Sequence, residues 1–182
     1  MTVPTRVAVI PVHRRGSIAA HAIVDAEDVA VVGQYRWTLN LNGYAWRSVD
    51  GGRRHIYLHR AIAGATWGDG TYVDHINRDR MDCRRVNLRI VTPQQSAQNK
   101  PALRGRFRGV SFDASRGRWS AHAQLDGKRR FLGRFDTEEE AAAAAAQWRR
   151  EHMPFSEEGT GVMPVTGPIP IPLPPTDEED DR

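Results

Sequence analysis

Residues 71–100 read TYVDHINRDRMDCRRVNLRIVTPQQSAQNK, and their pattern decides the fold around them. A short run, Tyr72-Val73, ends in Asp74-His75. A loop rich in Arg and Asp follows, then Val86-Asn87-Leu88-Arg89-Ile90-Val91. Thr92-Pro93-Gln94-Gln95 carries the signals of a helix start: a hydroxyl cap, proline at the first helical position, and glutamine three residues after the cap. The spacing predicts strand, loop, strand, helix, with a histidine and a carboxylate side by side at the end of the first strand.

That layout suits metal-assisted phosphodiester cleavage, which needs a base for water and a cation at the departing oxygen. His75 is a candidate base, because free imidazole titrates near neutrality. Asp74 offers a hard oxygen to Mg²⁺ or Mn²⁺, and Mg²⁺ needs few protein ligands because it keeps its waters. Taken alone, an Asp-His pair is also compatible with a plain surface turn.

The neighbouring blocks extend the pattern. Leu58-His59-Arg60, Val73-Asp74-His75-Ile76, Arg84-Arg85-Val86-Asn87-Leu88-Arg89 and Val91-Thr92-Pro93-Gln94-Gln95 together resemble the HNH nucleases of phages and mobile introns, over about residues 55–100. The resemblance implies a ββα-metal fold. It implies His75 as general base, Asp74 as metal ligand, and Asn87 as the residue that holds the loop and orients the histidine. Ser96 occupies the position of the family's second metal ligand, an asparagine, and Asp82-Cys83 stands where the family carries Asn-Asn. Asn99 lies three residues beyond Ser96, on the same helix face, and is the other candidate oxygen. Arg78, Arg80, Arg84, Arg85 and Arg89 are candidate phosphate contacts, which position DNA without reading its sequence.

Charge points to the same partner. Eight of the 22 acidic residues and one of the 26 basic residues fall at or after Glu151, which leaves residues 1–150 with a net charge of +11. A basic body with an acidic tail fits a polyanion, most simply double-stranded DNA. One cysteine, Cys83, excludes an internal disulfide and a CxxC zinc ribbon. His55-Ile56-Tyr57-Leu58-His59 lacks the glutamate of HExxH and reads as strand, so the two histidines are assigned to packing or DNA contact rather than zinc. No apolar run approaches the roughly 20 residues of a membrane span, and the N-terminus lacks the marks of a signal peptide. The expectation is a protein of the bacterial or phage-infected cytoplasm, with no membrane partner and no organic cofactor.

A second pattern follows Lys100-Pro101-Ala102-Leu103-Arg104-Gly105, which reads as a linker. Trp119, Ala121, Ala123 and Leu125 alternate with Ser120, His122 and Gln124, a half-buried strand. Asp126-Gly127 is a hairpin turn, and Lys128 to Phe135 is a basic return strand. Thr137-Glu138-Glu139-Glu140 is a capping box with acids at the positive end of the helix dipole, and an Ala-rich helix runs on through Trp148. Trp119 and Trp148 are the expected anchors between helix and sheet. With Arg108-Gly109-Val110, Gly117-Arg118-Trp119 and Phe131-Leu132-Gly133-Arg134-Phe135, this segment resembles the AP2/ERF DNA-binding domain over about residues 104–152. The resemblance implies a three-stranded sheet laid in the major groove, with Arg108, Arg129 and Phe131 as DNA contacts and Arg118 and Arg130 beside them. Ser111, Asp113, His122 and Gln124 differ from the plant members, so their GC-box specificity does not carry over.

Ahead of both patterns, Arg6 to Val12 reads as a strand ended near Pro11, Ala22-Ile23-Val24 as a second, and Asp25 to Asp28 as a helical turn. Asn42-Gly43, flanked by Tyr35, Trp37, Tyr44 and Trp46, is a hairpin signal. From about Pro154 the chain turns to Pro, Gly and acid, a composition that predicts a flexible tail.

The fold class expected is α+β: a small β-rich N-terminal lobe leading into a ββα-metal motif, then a three-stranded antiparallel sheet with one packed helix, then a disordered tail. The expected domains are 1–100 with a core motif at 55–100, 101–155, and 156–182. The function expected is a metal-dependent DNA endonuclease, nicking or cutting both strands, targeted by the AP2-like domain. The alternative is a DNA-binding regulator or accessory protein whose HNH motif has lapsed. A protein-interaction module would show no salt-dependent DNA affinity.

Overall fold

The computed structural model describes residues 6–65, 68, 70–100 and 107–156. The predicted linker from Pro101 and the predicted tail beyond Ser156 lie outside the described residues. Two compact units divide the chain between Val91 and Thr92. Both mix strand and helix, and no described helix is long and apolar enough to cross a membrane.

The first unit is built on a five-stranded sheet. β1 (Val7–Arg14) pairs along its length with antiparallel β2 (Ser17–Asp25). A 3-10 turn (Ala26–Asp28) and the short α1 (Val29–Val32) return the chain to β3 (Trp37–Leu39), which lies parallel to β1. β4 (Ala45–Val49) and β5 (Arg54–Tyr57) complete the order β2-β1-β3-β4-β5. β1 does not end at Pro11: β3 stands beside it only at Val12 and His13, so one flank is open where the proline lacks its N–H. Alternation sends Ile10, Val12, Ala22, Val24 and Trp37 to one face, where they pack with Leu58, Ile62, Cys83 and Leu88.

His55 and His59 do not share a strand, as the sequence suggests. The strand ends at Tyr57, and Leu58 opens α2 (Leu58–Ile62), which buries Leu58, Ala61 and Ile62 and carries His59 in with them. Burial of this apolar turn overrides the strand-like pattern of the sequence.

β6 (Tyr72–His75) and β7 (Leu88–Val91) form a separate two-stranded antiparallel ladder. The loop between them docks on the outer edge of β2. Ile23 N–H donates to Met81 O at 2.7 Å, and Cys83 N–H donates to Ile23 O at 2.8 Å. An edge strand is thereby covered rather than exposed.

The second unit opens with α3 (Pro93–Gln98). The expected cap is present: the Thr92 side chain accepts from Gln95 N–H, and the Gln95 side chain accepts from Thr92 N–H. β8 (Val110–Asp113), β9 (Arg118–Leu125) and β10 (Lys128–Phe135) form an antiparallel sheet in the order β10-β9-β8. Asp126 and Gly127 both take positive φ, 50° and 75°, which is what a two-residue hairpin turn requires. α4 (Glu138–His152) is capped by Thr137 and lays Ala141 and Ala145 on Ala121. Small side chains let the helix come close. Gly109, just ahead of β8, lies tight against β9: a Cβ there would sit 2.2 Å from His122 O, and its φ is +81°. Trp119 packs in this core together with Val110, Leu132 and Phe135, whereas the half-buried Trp148 lies outside that cluster and stacks on His152 at 4.4 Å.

Candidate functional site

Strand alternation sets the first group of residues. β6 ends in Asp74 and His75, whose cross-strand partners on β7 are Arg89 and Leu88. The phase of the ladder puts Asp74 with Arg89 and His75 with the core residue Leu88. Arg89 is 1% exposed and ion-paired to Asp74 at 2.6 Å. A guanidinium so buried has no surface to offer a phosphate. Arg85 is nearly as buried, its guanidinium bound to Asp28 and its backbone N–H to Asp25. The expected phosphate contact at Arg85 and Arg89 is therefore corrected: both hold the fold. Arg84 keeps part of its side chain exposed while pairing with Asp82.

His75 is 4% exposed. Burial is the main force on its pKa, which falls to about 4; Asp79 and Asp82 oppose the shift and Arg80 adds to it. The imidazole is therefore neutral at neutral pH. Its ring lies 4.9 Å from that of His59 and 6.0 Å from that of Tyr44, and Cys83 Sγ lies 4.0 Å from Nε2. His59 is pushed well below the usual histidine range, first by burial and then by His75 and Arg60. Burial raises the Cys83 thiol far above its ordinary value, so it acts as an apolar filler.

Asn87 ties the loop shut. Its Nδ2 donates to Asp82 O at 2.7 Å, its Oδ1 accepts from Asn77 N–H at 3.0 Å, and its backbone O accepts from Ile76 N–H at 2.8 Å. Asp82 accepts from Arg84 and from Asn77 Nδ2, and the Arg84 guanidinium above all holds its carboxyl below the usual range. Asp82 and Cys83, the departure in the loop, thus dock it on β2 and close it internally. Among the described residues no group of three or more His, Cys, Asp or Glu is arranged to hold a metal.

On α3, Ser96 is half-buried and accepts a bond from Asn99 N–H through its backbone O. Asn99, at the C-cap, is buried.

The outer face of the three-stranded sheet carries the second group. Arg129 lies opposite Gln124, Phe131 opposite His122, and Arg134 opposite Ser120. A bulge between Phe131 and Gly133 shifts the phase by one residue. It brings Arg134 to the same face as Phe131, with its guanidinium 4.9 Å above the ring. Sequence reading missed Arg134; Gly133 inside a strand was the available signal. His122 lies 5.4 Å from Phe131, and burial with Arg129 and Arg134 nearby lowers its pKa. Arg118 pairs with Asp136 at 2.7 Å. Arg130 lies opposite Ala123, in phase with the helix side of the sheet. Arg108 donates to Gln98 O at 2.6 Å, while its own backbone O accepts from Arg149.

Comparison with known proteins separates the two groups of residues, with α3 falling in the HNH match. Residues 55–98 match the HNH endonuclease family and residues 105–152 match the AP2 domain. An uncharacterized HNH endonuclease of Acanthamoeba polyphaga mimivirus is 30% identical over 123 residues, which cover 66% of this chain and 64% of that protein. No solved structure is matched. The chain carries an HNH endonuclease domain followed by an AP2 domain.

Proposed function

We propose that this chain is a metal-dependent DNA endonuclease, with the HNH domain hydrolysing the phosphodiester bond and the AP2 domain holding the duplex. The observation that carries this reading is that β6 ends in a buried, neutral His75 preceded by Asp74, whose carboxylate is fixed by Arg89. His75 accepts the proton of the attacking water. The negative charge of a bound phosphate raises the pKa of the imidazole from its low resting value, which strengthens it as a base. Asn87 keeps the loop, and so the histidine, in place.

An HNH domain implies a divalent metal, and the donor chemistry fits Mg²⁺ or Mn²⁺. Asp74 is a single hard carboxylate, and Mg²⁺ is held by one or two such groups with water and phosphate filling the rest. Such an ion, when bound, stabilises the charge on the leaving oxygen. Arg129, Phe131 and Arg134 form the DNA-contacting row of the AP2 sheet, since a two- or three-stranded ribbon enters the major groove.

Ser96 favours a second reading, a DNA-binding regulator or accessory protein with a lapsed HNH motif. Incubation of the full chain with supercoiled plasmid and Mg²⁺ separates the two. Nicked circles that vanish with chelator are expected. Salt-dependent binding with no nicking in Mg²⁺ or Mn²⁺ would favour the lapsed nuclease.

A further inference from the structure

Leu41 is 90% exposed, at the tip of the β3–β4 hairpin. Single exposed leucines are ordinary on protein surfaces. This one differs in how it is held and where. Its turn is braced from several sides. Asn40 N–H donates to Tyr44 O at 3.0 Å, Gly43 N–H donates to Asn40 O at 3.1 Å, and Tyr44 N–H donates to Asn40 Oδ1 at 2.9 Å. Arg80, from the loop between β6 and β7, donates to Asn42 O and lies 4.7 Å over the Tyr44 ring. The same Tyr44 ring is 5.2 Å from His59 and 6.0 Å from His75. A large apolar side chain is thus displayed on a hydrogen-bonded turn, close in sequence to an exposed arginine's partner Asn42 and to Tyr44, the residue that reaches the candidate catalytic histidine.

We propose that Leu41 is a wedge that enters the DNA duplex between stacked base pairs near the phosphate presented to His75. Apolar side chains inserted this way unstack a base step and kink the helix. A wedge must be rigid and must project, because a mobile or half-covered side chain slides out of the stack instead of opening it. The turn meets both needs. Phosphate contacts nearby hold the duplex against the tip, and Arg80 supplies positive charge there. The occupant is duplex DNA rather than a protein groove, because the same turn carries Tyr44 beside the candidate catalytic histidine and is bound by the basic Arg80. The proposal rests on the endonuclease reading for its location, but its test does not require cutting.

Relaxed plasmid is incubated with the full chain in chelator and treated with a metal-independent topoisomerase. The linking number is read after the protein is removed, and DNA affinity is measured in parallel by anisotropy. An intercalating wedge unwinds DNA, so the wild type leaves a negative linking-number shift that grows with bound protein. Leu41→Ala abolishes most of that shift while keeping affinity within about threefold, because phosphate contacts dominate binding. Leu41→Met retains the shift. An equal shift in Leu41→Ala, or bound wild type with no shift, overturns the wedge, and the latter result points to a protein partner for Leu41. Nicking in Mg²⁺ is scored separately: a shift without nicking keeps the wedge and removes the nuclease, and nicking without a shift does the reverse.

Discussion

Arg89 donates from Nε at 2.9 Å and from Nη2 at 2.6 Å to one oxygen, Oδ2, of Asp74. The two residues face each other across the β6–β7 ladder, and Arg89 is sealed from solvent. The pair therefore fixes the orientation of the carboxylate on which the proposed metal depends. Removing one member of a buried pair leaves an uncompensated charge and costs about 3 kcal/mol or more. Arg89→Ala is expected to lower the urea unfolding midpoint sharply. Arg89→Lys loses the two-pronged donor and is expected to fall between the two. An unchanged midpoint in Arg89→Ala would show that the pair is dispensable.

Acid should destabilise the first unit through its histidines. Burial depresses the folded-state pKa of His75 to about 4 and moves His59 in the same direction. The unfolded chain titrates near 6.5, so between these values it binds more protons than the folded chain. Stability present above pH 6.5 is thus lost as pH falls toward 4, by about 3 kcal/mol for a shift the size of that at His75. Urea midpoints at pH 7 and pH 4.5 measure the loss. His59→Phe should reduce the difference between them, and an undiminished difference would mean that His59 is not among the groups responsible.

Much of this was legible in the residues themselves. Thr92-Pro93 and Thr137 with Glu140 announce their helices through local chemistry, and both capping boxes form. Asp126-Gly127 fixes its hairpin for the same reason. The misreadings arise where tertiary contacts decide. Arg85 and Arg89 look like free cations until Asp28 and Asp74 are placed against them. His59 looks like strand until α2 buries it. Arg134 looks inward-facing until the bulge turns it out. Ion pairing across long separations and strand irregularities leave little trace in periodicity.

The exposed row on β10 should govern salt-dependent affinity. Arg129→Ala is expected to weaken duplex binding and to flatten the slope of log affinity against log salt by about one unit, the share of one phosphate contact. Phe131→Ala removes an aromatic contact without removing charge, so it should lower affinity and leave the slope unchanged. Slopes identical in wild type and Arg129→Ala would take this face out of the interface.

The resemblance to HNH nucleases implies that Ser96 takes the place of their second metal ligand. A hydroxyl is a shorter and weaker donor than an amide oxygen, so Ser96→Asn should lower the Mg²⁺ concentration needed for half-maximal nicking. Asn99 is buried, and Asn99→Ala should act on the unfolding midpoint more than on the Mg²⁺ requirement. If Ser96→Asn has no effect and Asn99→Ala abolishes cutting in a folded protein, the ligand is Asn99.

The most direct test of the endonuclease reading is His75→Ala in the full chain, assayed for plasmid nicking in Mg²⁺ and for duplex affinity in chelator. Loss of a general base costs about 10² to 10⁴ in rate. The expected result is nicking reduced by that factor with affinity nearly unchanged. Nicking at the wild-type rate in the purified variant would contradict His75 as the base.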